Sequence, residues 1–149
     1  MKIEQELKSE KFESAYQKAT LNIIFTSNWI NAQLKKKTDK EKITLQQYNI
    51  LRILRGQYPN PANLGMIKER LLDKMSDVSR LIDRLLLKEL VVRTTSLKDK
   101  RAVDIVISKK GLEILERLDE PMRMRSILDQ RLTEAECATL NDLLDRFRG

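Results

Sequence analysis

The sequence contains no histidine and a single cysteine, Cys137. Without an imidazole there is no base for a Ser-His-Asp or Cys-His pair, so nucleophilic catalysis of those kinds is excluded. A Cys/His structural zinc site within one chain is excluded for the same reason. One cysteine cannot close an intrachain disulfide, so nothing points to an oxidising compartment. Long hydrophobic runs are also missing, whereas a bilayer-spanning helix needs about 20 apolar residues. The opening MKIEQELKSEKFES is charged and lacks the apolar centre of a signal peptide. These absences lead us to expect a soluble cytoplasmic protein that is not an enzyme. No catalytic residue, cofactor, metal site or membrane partner is expected.

What is present is charge and enough apolar residue for a core. Of 149 residues, 41% are hydrophobic, so wholesale disorder is not expected and one domain of ordinary size is. Lys and Arg outnumber Asp and Glu by 29 to 22. The surplus is uneven: residues 1–43 carry net +3, residues 44–111 net +7, and residues 112–149 net −3. An even coat for solubility would not segregate in this way, and a basic middle segment fits a polyanionic partner such as nucleic acid.

Glycine and proline are few, and the chain between them reads mostly as helix. Apolar residues at Phe12, Tyr16, Ala19, Ile23, Ile30 and Leu34 predict a long helix from about Ser9 to Lys36, followed by a frayed loop to Lys42. Thr44 and Gln47 form a capping-box pattern opening a second helix to about Arg55, with Tyr48, Leu51 and Leu54 on one face. After a loop at Gly56–Pro61, Asn63 or Gly65 starts a short helix carrying Ile67 and Leu71. A turn at Asp73–Ser76 leads into a helix from about Met75 to Glu89. The period then changes to that of strands at Val91–Thr95 and Val103–Ser108, a β-hairpin around a charged tip. A helix from Ser108 or Lys109 carries Leu112, Leu115 and Leu118 and must break by Pro121. Thr133 and Glu136 open a last helix with Cys137, Leu140, Leu144 and Phe147 on one stripe. Cys137 is expected there as a buried structural thiol.

The order predicts a mainly α fold with a small β-hairpin wing: a winged helix-turn-helix flanked by further helices. On the Met75–Glu89 helix, at 100° per residue, Leu81, Ile82 and Leu85 fall within about 60° of Val78. Ser76, Arg80 and Arg84 fall on the opposite face, with Asp77 beside them. Arginine can bond bidentately to guanine O6 and N7, and serine can serve a base edge or a phosphate. Asp77 has two readings, as an acceptor from a cytosine amine or as a stabiliser of the helix N-terminus. At the hairpin tip, Lys98, Lys100 and Arg101 surround Asp99, and a basic tip can reach the electronegative minor groove.

The stretches ITLQQYNILRIL, SDVSRLIDRLLLKELVVR and DKRAVDIVISKKG, spanning about Thr44 to Gly111, resemble the MarR family of bacterial transcription regulators. The Asp99-x-Arg101 signature before the alternating strand is its most specific part. The resemblance implies a homodimer that binds double-stranded DNA at a palindromic site, most simply as a repressor. Residues 1–43 and 112–149 would then supply intertwined dimerisation helices, and residues 44–111 the DNA-binding region. Ser79, within the VSRL run, joins Ser76, Asp77, Arg80, Arg84, Lys98, Asp99, Lys100 and Arg101 as expected DNA contacts. The two-fold axis predicts half-sites about one helical turn apart. Relatives bind small aromatic or acidic ligands in a cleft near the dimer helices, where Phe25, Trp29 and Tyr48 are expected here. Glu89 stands where the family commonly ends the reading helix with Gly. A non-Gly residue in the left-handed region costs about 1 kcal/mol, so a different helix end is expected. A competing reading is a winged-helix protein-interaction module without specific DNA binding, which leaves the basic middle segment unexplained.

Overall fold

The computed structural model describes residues 1–95, 103–125 and 131–149. Its helices are α1 (Ile3–Leu7), α2 (Ala15–Thr38), α3 (Leu45–Gln57), α4 (Leu64–Arg70), α5 (Val78–Leu87), α6 (Lys109–Asp119) and α7 (Glu134–Arg148). Three antiparallel strands, β1 (Ala62–Asn63), β2 (Val91–Thr95) and β3 (Val103–Ile107), form one sheet in the order β1-β3-β2. In the hairpin Val91 faces Ile107 and Arg93 faces Ile105, while Ala62 of β1 also faces Ile105. The architecture is therefore the expected mainly helical one with a hairpin wing.

Several boundaries differ from the sequence reading. The first long helix starts at Ala15, not Ser9, because the Ser14 hydroxyl accepts the Gln17 backbone N–H at 3.1 Å and caps it there. The residues before it form the separate turn α1, held to α2 by a Lys18–Glu4 ion pair and by burial of Ile3. α2 continues to Thr38, and a 3-10 turn at Asp39–Glu41 replaces the expected frayed loop. The reading helix is shorter than expected: it spans Val78–Leu87, since Asp77 caps it.

That helix nevertheless ends in the left-handed region, with Glu89 at φ 60°. The Leu90 N–H donates to the Leu85 carbonyl at 3.0 Å and the Glu89 N–H to the Leu86 carbonyl at 2.9 Å. This is a Schellman end, which satisfies carbonyls the helix would otherwise orphan. Leu90, 1% exposed, closes it with an apolar contact to the core. The burial and the two hydrogen bonds outweigh the strain of a side chain at that φ.

The core is formed by Leu34 at the end of α2 together with residues of Ile43–Met122. Ile50, Leu51, Leu54, Ile67, Ile82, Leu85, Leu90, Ile105 and Leu115 are fully buried there. α6 reaches this core through its first turn, where the Ser108 hydroxyl accepts the Gly111 N–H and donates to the Glu89 carbonyl. A Cβ on Gly111 would lie 2.4 Å from the Leu90 carbonyl oxygen, so only glycine fits where α6 crosses the end of the reading helix. α7, by contrast, buries none of its residues within the chain.

Candidate nucleic-acid interface

The reading helix presents one apolar and one polar face. Val78, Ile82 and Leu85 are buried, Leu81 is half-buried, and Ser79, Arg80 and Arg84 are exposed. Asp77 lies at the N-cap, its Oδ1 accepting the Arg80 N–H at 3.1 Å, so its carboxylate fills the capping role open to a hydroxyl at this position. Ser76 donates its hydroxyl to Asp73 Oδ2 at 2.9 Å, and Asp73 Oδ1 accepts the Met75 N–H at 3.0 Å. This clamp fixes the turn into α5.

Ser76, Asp77, Arg80 and Arg84 surround one open recess of about 270 Å³, which Thr44, Gln46 and Asp73 also line. Asp73 and Gln46 escaped the sequence reading. Asp73 could have been found from its Asp-x-x-Ser turn pattern, whereas the placement of Gln46 depends on how α3 packs beside α5.

Pairing separates the cations of this lobe. Arg55 makes a bidentate contact with Asp119 at 2.8 and 2.9 Å, and Arg117 another with Glu41 at 2.8 and 3.0 Å. The guanidinium groups hold both carboxyls below their ordinary range through these hydrogen bonds. Arg93 of β2 pairs with Asp83 of α5 at 2.8 Å, tying the wing to the reading helix. The Lys88 ammonium donates to the Lys42 carbonyl, fastening the far end of α5 to the start of α3. Arg80 and Arg84 have no ion pair or side-chain hydrogen bond among the described residues, and so face the recess with their charge uncompensated.

The wing-tip residues Lys98, Asp99, Lys100 and Arg101 lie outside the described residues. Of the three residues expected at a ligand cleft, the structure brings two together. Phe25 and Trp29 line a cavity of about 460 Å³ with Ile3, Asn22, Arg131 and Leu132, and the Arg131 guanidinium sits 5.2 Å from the Trp29 ring centroid. Tyr48 is elsewhere: it is 4% exposed in the core of the lobe, and burial pushes its phenol pKa up. The helical face it shares with Leu51 and Leu54 carries it inward, away from Phe25 and Trp29. Arg131 gave no signal in the sequence. Cys137 is half-buried rather than buried, lining an open recess with Met124, Leu132 and Ala138.

No helix among the described residues is long and apolar enough to cross a membrane. Nor do these residues hold a cluster of three or more Cys, Asp or Glu able to bind a metal.

A family model described as the MarR family matches residues 43–103. A comparison with curated protein sequences found no match. Among solved structures, the chain is similar to a MarR transcription factor from Planctomyces limnophilus. The identity is 30%, with 93% of this chain and 98% of that chain covered and a TM-score of 0.66. It is also similar to a MarR mutant from E. coli complexed with operator DNA, at 26% identity, 85% and 91% coverage and a TM-score of 0.73. The S. aureus MepR–DNA complex shares the fold at 20% identity, 90% and 96% coverage and a TM-score of 0.77. With the wing hairpin, the capped reading helix and the buried lobe in place, and 30% identity spanning nearly all of both chains, this chain belongs to the MarR family.

Proposed function

We propose that this protein is a cytoplasmic transcription regulator that binds a palindromic DNA operator as a homodimer and represses transcription until a small organic ligand releases it. The observation that carries the DNA-binding reading is the contrast in pairing. Arg80 and Arg84 have no ion pair or side-chain hydrogen bond among the described residues and lie on the exposed face of α5, whereas Arg55, Arg93 and Arg117 are each tied to a carboxylate. Ser76, Ser79 and Asp77 share that helix or its cap, and Lys98, Asp99, Lys100 and Arg101 would extend the contact to a minor groove. The similar E. coli MarR structure, which contains operator DNA, supports the same assignment.

Residues 44–111 serve in this reading as the DNA-binding region, and residues 1–43 and 112–149 as the dimerisation helices. An open apolar groove of about 690 Å³ between α2 and α7 supports dimerisation; Ile23, Ile30, Leu140, Leu143, Leu144 and Phe147 line it. The ligand reading rests on the Phe25–Trp29 cavity, where an aromatic wall and the Arg131 cation suit an aromatic acid. Trp29 is the sole tryptophan, so its fluorescence reports on this cavity directly when benzoate is titrated.

The decisive experiment selects bound duplexes from a random-sequence pool at two salt concentrations. A shared palindrome is expected. Arg80→Ala and Arg84→Ala should each weaken binding about 5- to 150-fold per half-site, the value of one bidentate hydrogen-bonded pair with a base. Retention of wild-type affinity by the double variant at fixed salt removes these residues from the interface. A steep salt slope with no shared sequence reduces the function to phosphate attraction. Repression is checked by deleting the gene and measuring transcripts beside the genomic copies of the palindrome, which should rise.

A further inference from the structure

Two large apolar side chains stand in solvent beside the reading helix, where a packed lobe would be expected to hide them. Leu72 is 85% exposed and Met75 is 93% exposed, both in the turn between α4 and α5. Met75 lies between Asp73 and Ser76, two residues that line the recess with Arg80 and Arg84. It is also held in place: its backbone N–H is bound by Asp73 Oδ1, and the Ser76 hydroxyl closes the same carboxylate from the other side. Just beyond Ser76, Asp77 caps the helix. Met75 is thus an unbranched, adaptable apolar side chain on a fixed backbone, just before the N-terminal end of the helix that carries Arg80 and Arg84.

In the major groove, the feature that an apolar side chain can read is the thymine 5-methyl group, which no other standard base carries. We propose that Met75 is a specificity-determining residue that covers the 5-methyl group of one thymine in each operator half-site. The inference rests on the DNA-binding reading above, and charge complementarity supports this occupant over a protein partner. The guanidinium groups of Arg80 and Arg84, without an ion pair among the described residues, line a recess with Asp73 and Ser76, which flank Met75 in the chain, and suit a polyanion. The arginines then supply attraction and guanine contacts, and Met75 supplies discrimination at a position where no hydrogen bond is made.

The test uses the full-length protein and the duplex it selects, resynthesised with deoxyuridine in place of each thymine in turn. Deoxyuridine pairs normally but lacks the methyl group. At one symmetry-related pair of positions the wild type should lose about fourfold in affinity per half-site, the effect of uncovering one methyl group. Met75→Ala should bind the thymine duplex about as weakly as wild type binds the deoxyuridine duplex, and should be indifferent to the replacement. Met75→Leu, which keeps the apolar surface, should restore the sensitivity. The variants alter a side chain in solvent, and circular dichroism should show them folded as wild type. If Met75→Ala responds to deoxyuridine as wild type does, or if no thymine position is sensitive, the assignment is overturned while operator binding stands. If the pool yields no preferred sequence, the DNA-reading function fails first and this inference falls with it.

Discussion

The lobe from Ile43 to Met122 and the helices α2 and α7 both carry regular apolar stripes, but only the lobe closes on itself. In the lobe most of the large aliphatic residues are buried to a few per cent exposure or less, with Leu72, Met75 and Leu87 among the exceptions. On α2 only Leu34 and Thr38 are buried, and on α7 Leu143 and Phe147 remain 53% and 57% exposed. The electrostatics divide only partly along that line, with net +7 in residues 44–111 against +3 in residues 1–43 and −3 in residues 112–149. The lobe holds most of the buried core, completed by Leu34 of α2, and the largest positive surplus. The terminal helices carry apolar surface at about 25 cal/mol per Å² that one chain leaves in water. The difference teaches that folding and the proposed self-association draw on largely different parts of this chain, so they can be perturbed separately.

The comparison is best broken in the core. Leu85→Ala or Leu54→Ala should destabilise the lobe by about 2–5 kcal/mol, the usual cost of such a cavity, measured by urea unfolding. The loss should not depend on protein concentration. Leu144→Asp tests the other side: it should leave the lobe's spectrum unchanged and shift the protein from dimer to monomer in sedimentation equilibrium. A dimer that survives with its dissociation constant unaltered would place the partner on another surface.

Smaller effects sharpen the contrast inside the lobe. Glu89→Gly should stabilise it by about 1 kcal/mol, because glycine relieves the left-handed strain at φ 60° while the Schellman hydrogen bonds remain. The smallest expected effect is electrostatic. Asp119, held by Arg55, has a folded pKa below its ordinary 3.8. Its contribution is therefore present above that ordinary value and fades as the pH falls through the depressed folded one. Since Asp119 is half exposed, the contribution is within about 1 kcal/mol. Asp119→Asn should flatten the acid limb of a stability–pH curve by that amount.

Much of the lobe could be read from the chain because its signals are local. Thr44 with Gln47 marked α3, Thr133 with Glu136 marked α7, and the opposite faces of the reading helix followed from a single turn angle. What escaped depends on distant partners. β1 is two residues long, and it is a strand only because Ala62 and Asn63 pair with Ile105 and Asp104. α1 is held by an ion pair reaching 14 residues along the chain. Tyr48 has the pattern of a core residue, and the expected cleft assignment set that pattern aside. Glu89 shows the converse: a local rule against non-glycine residues yields to the burial of Leu90 next door.

The Asp83–Arg93 ion pair has a further consequence for control. Together with the turn at Glu89–Leu90, it couples helix and hairpin at both ends of a short span, like two jaws on one casting. In the proposed homodimer, a ligand would then act on the separation and tilt of the two lobes. Regulation would therefore act as a caliper set against the pitch of the double helix, and operators with altered half-site spacing should mimic the ligand more closely than operators with altered bases.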